Sequence, residues 1–502
     1  MGEYEKLIAE LLADPEKLKL KKPFTRGYTP IERLTISEVA ANEILTAVLP
    51  SYRSQVVTQE QFLMELDPTS HTCLFDDNIP SICVKNKSGD YTNIEFKKMA
   101  VPFQKNIKNK VRLHLTGNKM QFTLSEQNPS EVQRNNFTTF KQYWDLRNQD
   151  GMKDKMVDSQ LSTGDAGLLY YFDYKGRIKS RVLSFKDGYV LCPHNDKNGD
   201  RILESVYYCK DNVEYIDSYD DRYMYRYKLD NNETQVSGNG WVMEAPVEHG
   251  FPEIPLITKR GDVPWNDVQS IIESYEILYN VFNAIQRRHG WGLLYIKGKV
   301  RDTAQKLAGS VVLNDTSIDG KGDAKFLTPP TPQGTIDTLQ LLLDTIQLGS
   351  SCTFLLPKDI KTNGDVSGLA IQLTQSLDIE NAQERVIDWQ NVADKMVRLF
   401  KYGLSVELVN TGKNKTAITD FEELNINAKF KIWQPRNDYE YNQMLTILTG
   451  AGLLSKETGI QKNTESAPDE LARKEREDAL AAEKATKLAM QQQAVSMNNN
   501  NE

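Results

Sequence analysis

Hydrophobic positions fall into their clearest pattern between Trp265 and Phe400. In WNDVQSIIESYEILYNVFNAIQRRH, residues Val268, Ile271, Ile272, Tyr275, Leu278, Phe282 and Ile285 recur three and four apart, which predicts a helix with one apolar face. Asp267 is expected as its N-cap and Gly290 as its stop. A shorter helix is predicted in TIDTLQLLLDTIQLG, with a broad stripe at Leu341, Leu342 and Leu343. A long one follows in SGLAIQLTQSLDIENAQERVIDWQNVADKMVRLF, after the Pro- and Lys-bearing loop SSCTFLLPKDIKTNGDV. Between the first two helices, GWGLLYIKGKVRDTAQKLAGSVVLNDTSIDGKGDAKFLTPPTPQG reads as strand, short helix, strand, Gly-rich turn and strand, a compact α/β insertion.

The flanks carry weaker patterns. Residues 3–19, with Leu7, Ile8, Leu11 and Leu12 on one side, and 37–54, capped by Ser37 and stopped by Pro50, read as amphipathic helices. A helix is expected as far as about Leu115, ended by Gly117, then a strand in KMQFTL and one helix around 131–156. AGLLYYFDYKGRIKSRVLSF predicts two strands about a Tyr174-Lys175-Gly176 turn. RILESVYYCKD and DRYMYRYKLDNNETQV are further strands, the latter with Tyr223, Tyr225 and Tyr227 on one face. Beyond the third long helix, ITDFEELNINAKFKIWQP alternates like a strand. RNDYEYNQMLTILTGAGLLSKETGI reads as helix, Gly break and second helix, and DELARKEREDALAAEKATKLAMQQQ as a charged helix. AVSMNNNNE is low-complexity and expected to be disordered. The class is α+β: a β-containing domain feeding a helical stalk.

Composition narrows the function. A chain of 502 residues, 39% hydrophobic, with net charge −8, is polar for its size and ill suited to clamping nucleic acid over its whole surface. No apolar run approaches a membrane span, and the first residues, MGEYEKLIAELLADPEKLKLKK, lack a signal-peptide core and depart from the myristoylation pattern. No phosphate-cradling GxxxxGKS/T, dinucleotide, HExxH, GxSxG or EF-hand pattern occurs. The nearest approach to a metal set is Cys192-Pro193-His194 with Cys209, and Cys73 with Cys83; neither has the paired CxxC spacing of structural zinc sites. They read as ordinary residues of a β domain. Asp217, Asp220 and Asp221 read as a solvated loop before a strand. No catalytic set, cofactor or metal is expected.

Basic residues are more informative. Arg287, Arg288 and His289 close the first long helix, where cations also favour the helix dipole. Lys297, Lys299, Arg301, Lys306, Lys321 and Lys325 make the insertion locally basic and suggest partner contact. Lys358 and Lys361 flank the loop between the second and third helices, facing either DNA or solvent.

This order of parts resembles the portal (head-to-tail connector) proteins of tailed bacteriophages, over roughly residues 100–485. The resemblance rests on the strand-turn-strand AGLLYYFDYKGRIKSRVLSF and on three short signatures in order. These are IPLI (254–257) before the first long helix, SGLA (367–370) opening the third, and Gly452-x-x-SKETG near the end. It implies a ring, usually of twelve copies, at one capsid vertex of the virion. The chain would divide into wing (1–260 with 404–435), first stem helix (261–289), clip (290–334), second stem helix (335–350), tunnel loop (351–366), long wing helix (367–403), crown (436–490) and a disordered tail (491–502). It also implies double-stranded DNA in the channel, terminase and later head-completion, adaptor and tail proteins on the clip, and the major capsid protein as a neighbour. On this reading Lys358 and Lys361 lie nearest the DNA, and Lys297, Lys299, Arg301, Lys321 and Lys325 dock partners. Asp267, Glu273 and Glu276 would keep the bore from gripping phosphates. Two rivals share some of these features: another neck or adaptor ring protein of a virion, and a nucleic-acid-processing enzyme, against which the missing motifs count.

Overall fold

Phe140, Trp144, Phe122 and Phe400 meet edge to face, with ring centroids 5.0 to 5.7 Å apart, and the core of the larger part of the chain is built around them. The computed structural model describes residues 58–75, 82–85, 91–94, 97–126, 128–195, 198, 200–229, 241–289, 293–297, 312–315, 323–327, 333–354, 374–434, 438–463 and 470–498. The helices expected at 3–19 and 37–54 and the SGLA signature lie outside these residues. The chain forms two compact units, residues 1–354 with 377–433, and residues 355–376 with 434–502.

In the first unit, α1 (58–66) precedes α2 (Phe103–Thr116), α3 (Glu131–Leu146) and α4 (Gln149–Thr163). Gly117 ends α2 as expected, its N–H bonded to the Leu113 carbonyl. The single helix expected around 131–156 is two helices. Ser130 and Gln133 form a capping box at the start of α3. The chain then turns at Asn148, whose φ of 48° is a left-handed conformation that asparagine tolerates. Helix α4 looks polar in sequence yet is largely buried, because its polar groups find partners. Lys153 donates to the Asn118 carbonyl (2.9 Å), Gln149 to Ser180 (3.0 Å), and Asp154 holds Arg112 of α2 (2.6 Å).

The strands form separate sheets, the first an antiparallel pair of β1 (Ile82–Lys85) and β2 (Tyr91–Ile94). β4 (Asp165–Phe172) and β5 (Ile178–Leu183) flank the predicted turn, where Asp173 Oδ1 accepts from the Lys175 and Arg177 N–H groups. With β12 (Leu256–Arg260) they make a three-stranded antiparallel sheet in the order β12-β4-β5. A meander follows: β6 (Tyr189–Asn195), β7 (Arg201–Lys210), β8 (Val213–Tyr219), β9 (Tyr223–Leu229) and β10 (Trp241–Met243), with β11 (Val247–Glu248) also on β9. Tyr225 and Tyr227 share the buried face of β9, as expected, and Tyr223 packs beside them. Strands β6 and β8 were not legible in the sequence. The acidic run is also corrected: Asp217 is 6% exposed and lies inside β8, opposite Arg226, which donates to it through Nε (2.8 Å) and Nη2 (2.9 Å). Asp220 is buried too, accepting from the N–H groups of Arg222 and Tyr223 and from the Tyr225 hydroxyl.

The long helix α7 (Ser376–Asn410) runs through the core. It continues past Phe400, where the helical pattern of the sequence ends, to Asn410. Only then come the short α8 (Ala417–Glu422) and the strand Ile426–Lys429, which pairs with β3 (Gln121–Leu124). Gly403 permits this packing, since an added Cβ would meet Ile178 Cδ1 at 2.1 Å.

The second unit holds α9 (Asp438–Gly450), α10 (Lys456–Lys462) and α11 (Glu470–Asn498). Gly452 turns with φ of 71°, and the Ser455 hydroxyl caps α10 by accepting from the Thr458 N–H (3.1 Å). Gly459 lies where a Cβ would meet Thr449 Oγ1 at 2.7 Å, so the Gly-x-x-SKETG signature is a helix stop, a cap and a close approach. Helix α11 continues to Asn498, into the tail expected to be disordered. Ser455→Ala will cost about 1 kcal/mol, read as roughly five-fold faster amide exchange in residues 456–462.

Candidate functional site

The helix–insertion–helix block begins at Trp265, fully buried, with its indole N–H bonded to Glu65 Oε2 (2.9 Å). A short 3-10 turn (Asn266–Val268) leads into α5 (Gln269–His289). Asp267 sits exposed within that turn; the N-cap position is Trp265, without a side-chain cap bond. Ile272, Glu276, Asn280 and Ala284 form the buried stripe of α5. Glu276 is 1% exposed, which removes it from any bore-facing role. Its carboxylate accepts from His71 Nδ1 (2.8 Å), the Val101 N–H (2.7 Å) and the Cys73 thiol (3.4 Å). One turn on, Asn280 bonds both the N–H and the carbonyl of Met99. A polar helix face thus grips two distant segments, a pairing that spacing along the chain does not reveal. Glu273 is half-buried and accepts from Gln269 (3.0 Å).

Helix α6 (Gln333–Ser350) crosses the start of α5 so closely that a Cβ on Gly349 would come within 2.6 Å of Val268 Cγ1. Ile346 is buried, whereas Leu341 and Leu348, seven residues apart and so on one face, are 66% and 69% exposed. Ile336 on α6 and Ile387 on α7 are exposed as well. The end of α6 is tied to the start of α7: Asp378, buried, accepts from the Thr353 N–H (3.1 Å) and Lys110 (3.2 Å), Lys110 also donates to the Thr353 carbonyl, and Asn381 donates to the Ser350 carbonyl (3.1 Å).

The insertion contains the strands Leu293–Lys297, Val312–Asp315 and Asp323–Leu327; the first is central, parallel to the second and antiparallel to the third. Lys297 and Lys325 occupy positions of the same face. In the strand register Asp315 and Asp323 are the partners of Lys297 on the two neighbouring strands. Lys299, Arg301, Lys306, Lys321, Lys358 and Lys361 lie outside the described residues.

Cys192 is buried in the meander, Cys209 is exposed, and among the described residues no three potential ligands come together. Burial pushes the thiols of Cys73, Cys192 and Cys352 up to about 12, and burial holds His194 down to about 4. A cleft of about 640 Å³ between the three-stranded sheet and the meander is lined by Tyr171, Tyr189, Tyr208, Tyr215 and Arg181. Among the described residues no helix is long and apolar enough to cross a membrane.

The profile of the family described as "Phage portal protein, SPP1 Gp6-like" matches residues 84–486. The chain belongs to this family of portal proteins. It is a structural protein of the virion, forming the channel at a capsid vertex that connects head and tail. The match spans the helix–insertion–helix block, IPLI and the Gly-x-x-SKETG segment, and it supports the portal, with nothing that favours a different neck or adaptor protein. No curated protein sequence matches the chain. Two solved structures align with this portal protein over 71% of its length and 88% of theirs. "Neck of empty GTA particle computed with C6 symmetry" has 11% identity and a TM-score of 0.38. "Virion of native gene transfer agent (GTA) particle" has 12% and 0.33, and at such values neither adds to the assignment.

Proposed function

We propose that this portal subunit closes a ring of twelve in which α5 and α6 are the stem, residues 290–334 the clip and 351–366 the tunnel loop. Residues 1–260 and 404–435, with α7, make the wing, and 436–490 the crown. The observation that carries the reading is α6. One of its faces enters the subunit core at Ile346, while its opposite face presents Leu341 and Leu348 to solvent. A stem helix packed between neighbours in a ring needs apolar residues on both sides. Double-stranded DNA passes through the channel, driven inward by a terminase that docks on the clip and is later replaced by head-completion and tail proteins. The major capsid protein surrounds the wing. No catalytic step is assigned to this chain.

Lys358 and Lys361 are proposed to touch DNA phosphates weakly, since each neutralised phosphate adds affinity and a moving duplex must not be held. Negative-stain microscopy and light-scattering mass of the full chain should give rings with a central hole and a mass of about twelve subunits. Replacing both lysines by glutamate should leave ring mass unchanged and slow packaging in a terminase-driven assay. An unchanged packaging rate would remove the two lysines from the channel.

A further inference from the structure

His71 has an acceptor at each ring nitrogen: the Glu276 carboxylate at Nδ1 (2.8 Å) and the Glu65 carbonyl at Nε2 (2.8 Å). A neutral imidazole has only one N–H, so one of these contacts would oppose two acceptors. Glu276 accepts besides from Val101 N–H at Oε1 and from the Cys73 thiol at Oε2, so both of its oxygens face donors. The arrangement is satisfied when His71 carries both protons. The ring is 5% exposed, and the residues it joins are 205 positions apart.

We propose that the His71–Glu276 pair is a protonation-operated latch, holding residues 58–75 and 97–101 on the middle of α5 and releasing them as the imidazolium loses its proton. The cavity beside it, about 190 Å³ and lined by Gln61, Met64, Ser70, Gln269 and Glu273, opens the latch to solvent protons. Every charged group around His71 bears on the outcome. On α5 these are Glu276 and, along the cavity, Glu273. Glu65 of α1 gives its carboxylate to Trp265, Asp67 lies in the turn after α1, and Lys98 stands near Cys73.

Burial disfavours the charged ring, but the hydrogen bond and charge of Glu276, the Glu65 carbonyl and Asp67 outweigh it, and His71 is held above its ordinary 6.5. A raised folded value means that the latch contributes fully below about pH 6.5 and is lost as pH rises through that raised value. Because α5 carries the bonds, protonation of one buried histidine is coupled to how firmly a long helix of the portal is gripped.

The test uses the full-length protein in its purified assembly. Exchange of the imidazole C2 hydrogen, read by mass spectrometry across pH 5 to 9, gives the titration of His71 beside the other four histidines. Amide exchange of residues 58–75 and 97–101, corrected for the intrinsic rate, reports the grip. The expected result is a His71 midpoint above 6.5 and about ten-fold loss of protection at high pH, the loss of one charge-assisted hydrogen bond. In His71→Gln the protection should be low and independent of pH. A midpoint at or below 6.5, or wild-type protection that does not change with pH, overturns the proposal. If the variant does not fold, the two wild-type measurements still decide.

Discussion

Replacing Leu341 and Leu348 together by aspartate will leave the portal subunit folded and abolish its rings. The two leucines are already exposed in the single subunit, so their loss should move its stability by no more than about 0.5 kcal/mol each. At a subunit interface the same side chains would each bury apolar surface worth about 1.5–3 kcal/mol. Two of them therefore weaken each contact by at least about 3 kcal/mol, roughly 100-fold in dissociation constant. Aspartate adds the cost of burying an unpaired charge where the neighbour packs. Light scattering at matched concentrations should show subunit-sized particles with an unchanged circular dichroism spectrum. Rings of wild-type mass would mean that this face of α6 looks into solvent, and the stem assignment of α6 would have to be abandoned.

The second large effect is expected inside the subunit. Glu407, buried on α7, accepts from Arg147 Nη2 at 2.7 Å and from the Ile178 N–H at 3.0 Å. It thereby joins the α3–α4 junction, the start of β5 and the core helix. Glu407→Ala strands a largely buried guanidinium and an amide N–H, and breaking such a pair from one side costs about 3–5 kcal/mol. Glu407→Gln keeps the volume and one acceptor and should lose about half as much. Fluorescence reads the result directly, because Trp144, Trp265 and Trp389 are all fully buried in this unit. A fall in the urea midpoint for alanine, with glutamine between it and wild type, is the expected order. A change below about 1 kcal/mol for alanine would show that water replaces the lost carboxylate.

Much of this architecture was legible before any coordinates. The apolar spacing of 268–285 and the stripe at 341–343 predicted α5 and α6 within two or three residues, because an amphipathic helix writes its buried face at a local period. Gly117, Gly176 and Gly452 marked boundaries for an equally local reason: each solves a turn or a helix end within four residues of itself. The family resemblance rests on the order of parts, the strand-turn-strand about Gly176, and the signatures IPLI, SGLA and Gly-x-x-SKETG.

The polar interior was not legible, and with it some of the boundaries. Asp217 read as a solvated loop and Glu276 as a bore-facing charge because a carboxylate is exposed unless something distant satisfies it. In Asp217 the partner is across a strand pair, in Glu276 it is 205 residues away, and in Glu407 it is 260 residues away. Helix α4, polar by composition and buried in fact, was merged into α3 for the same reason, and α7 was cut short at Phe400 although the core carries it to Asn410. By itself the sequence determined the long helices, their order around an insertion, and the caps that end them, all set by spacing over a few residues. Only the tertiary structure decided which charges go inside, because burying a charge depends on donors that folding brings in from remote parts of the chain.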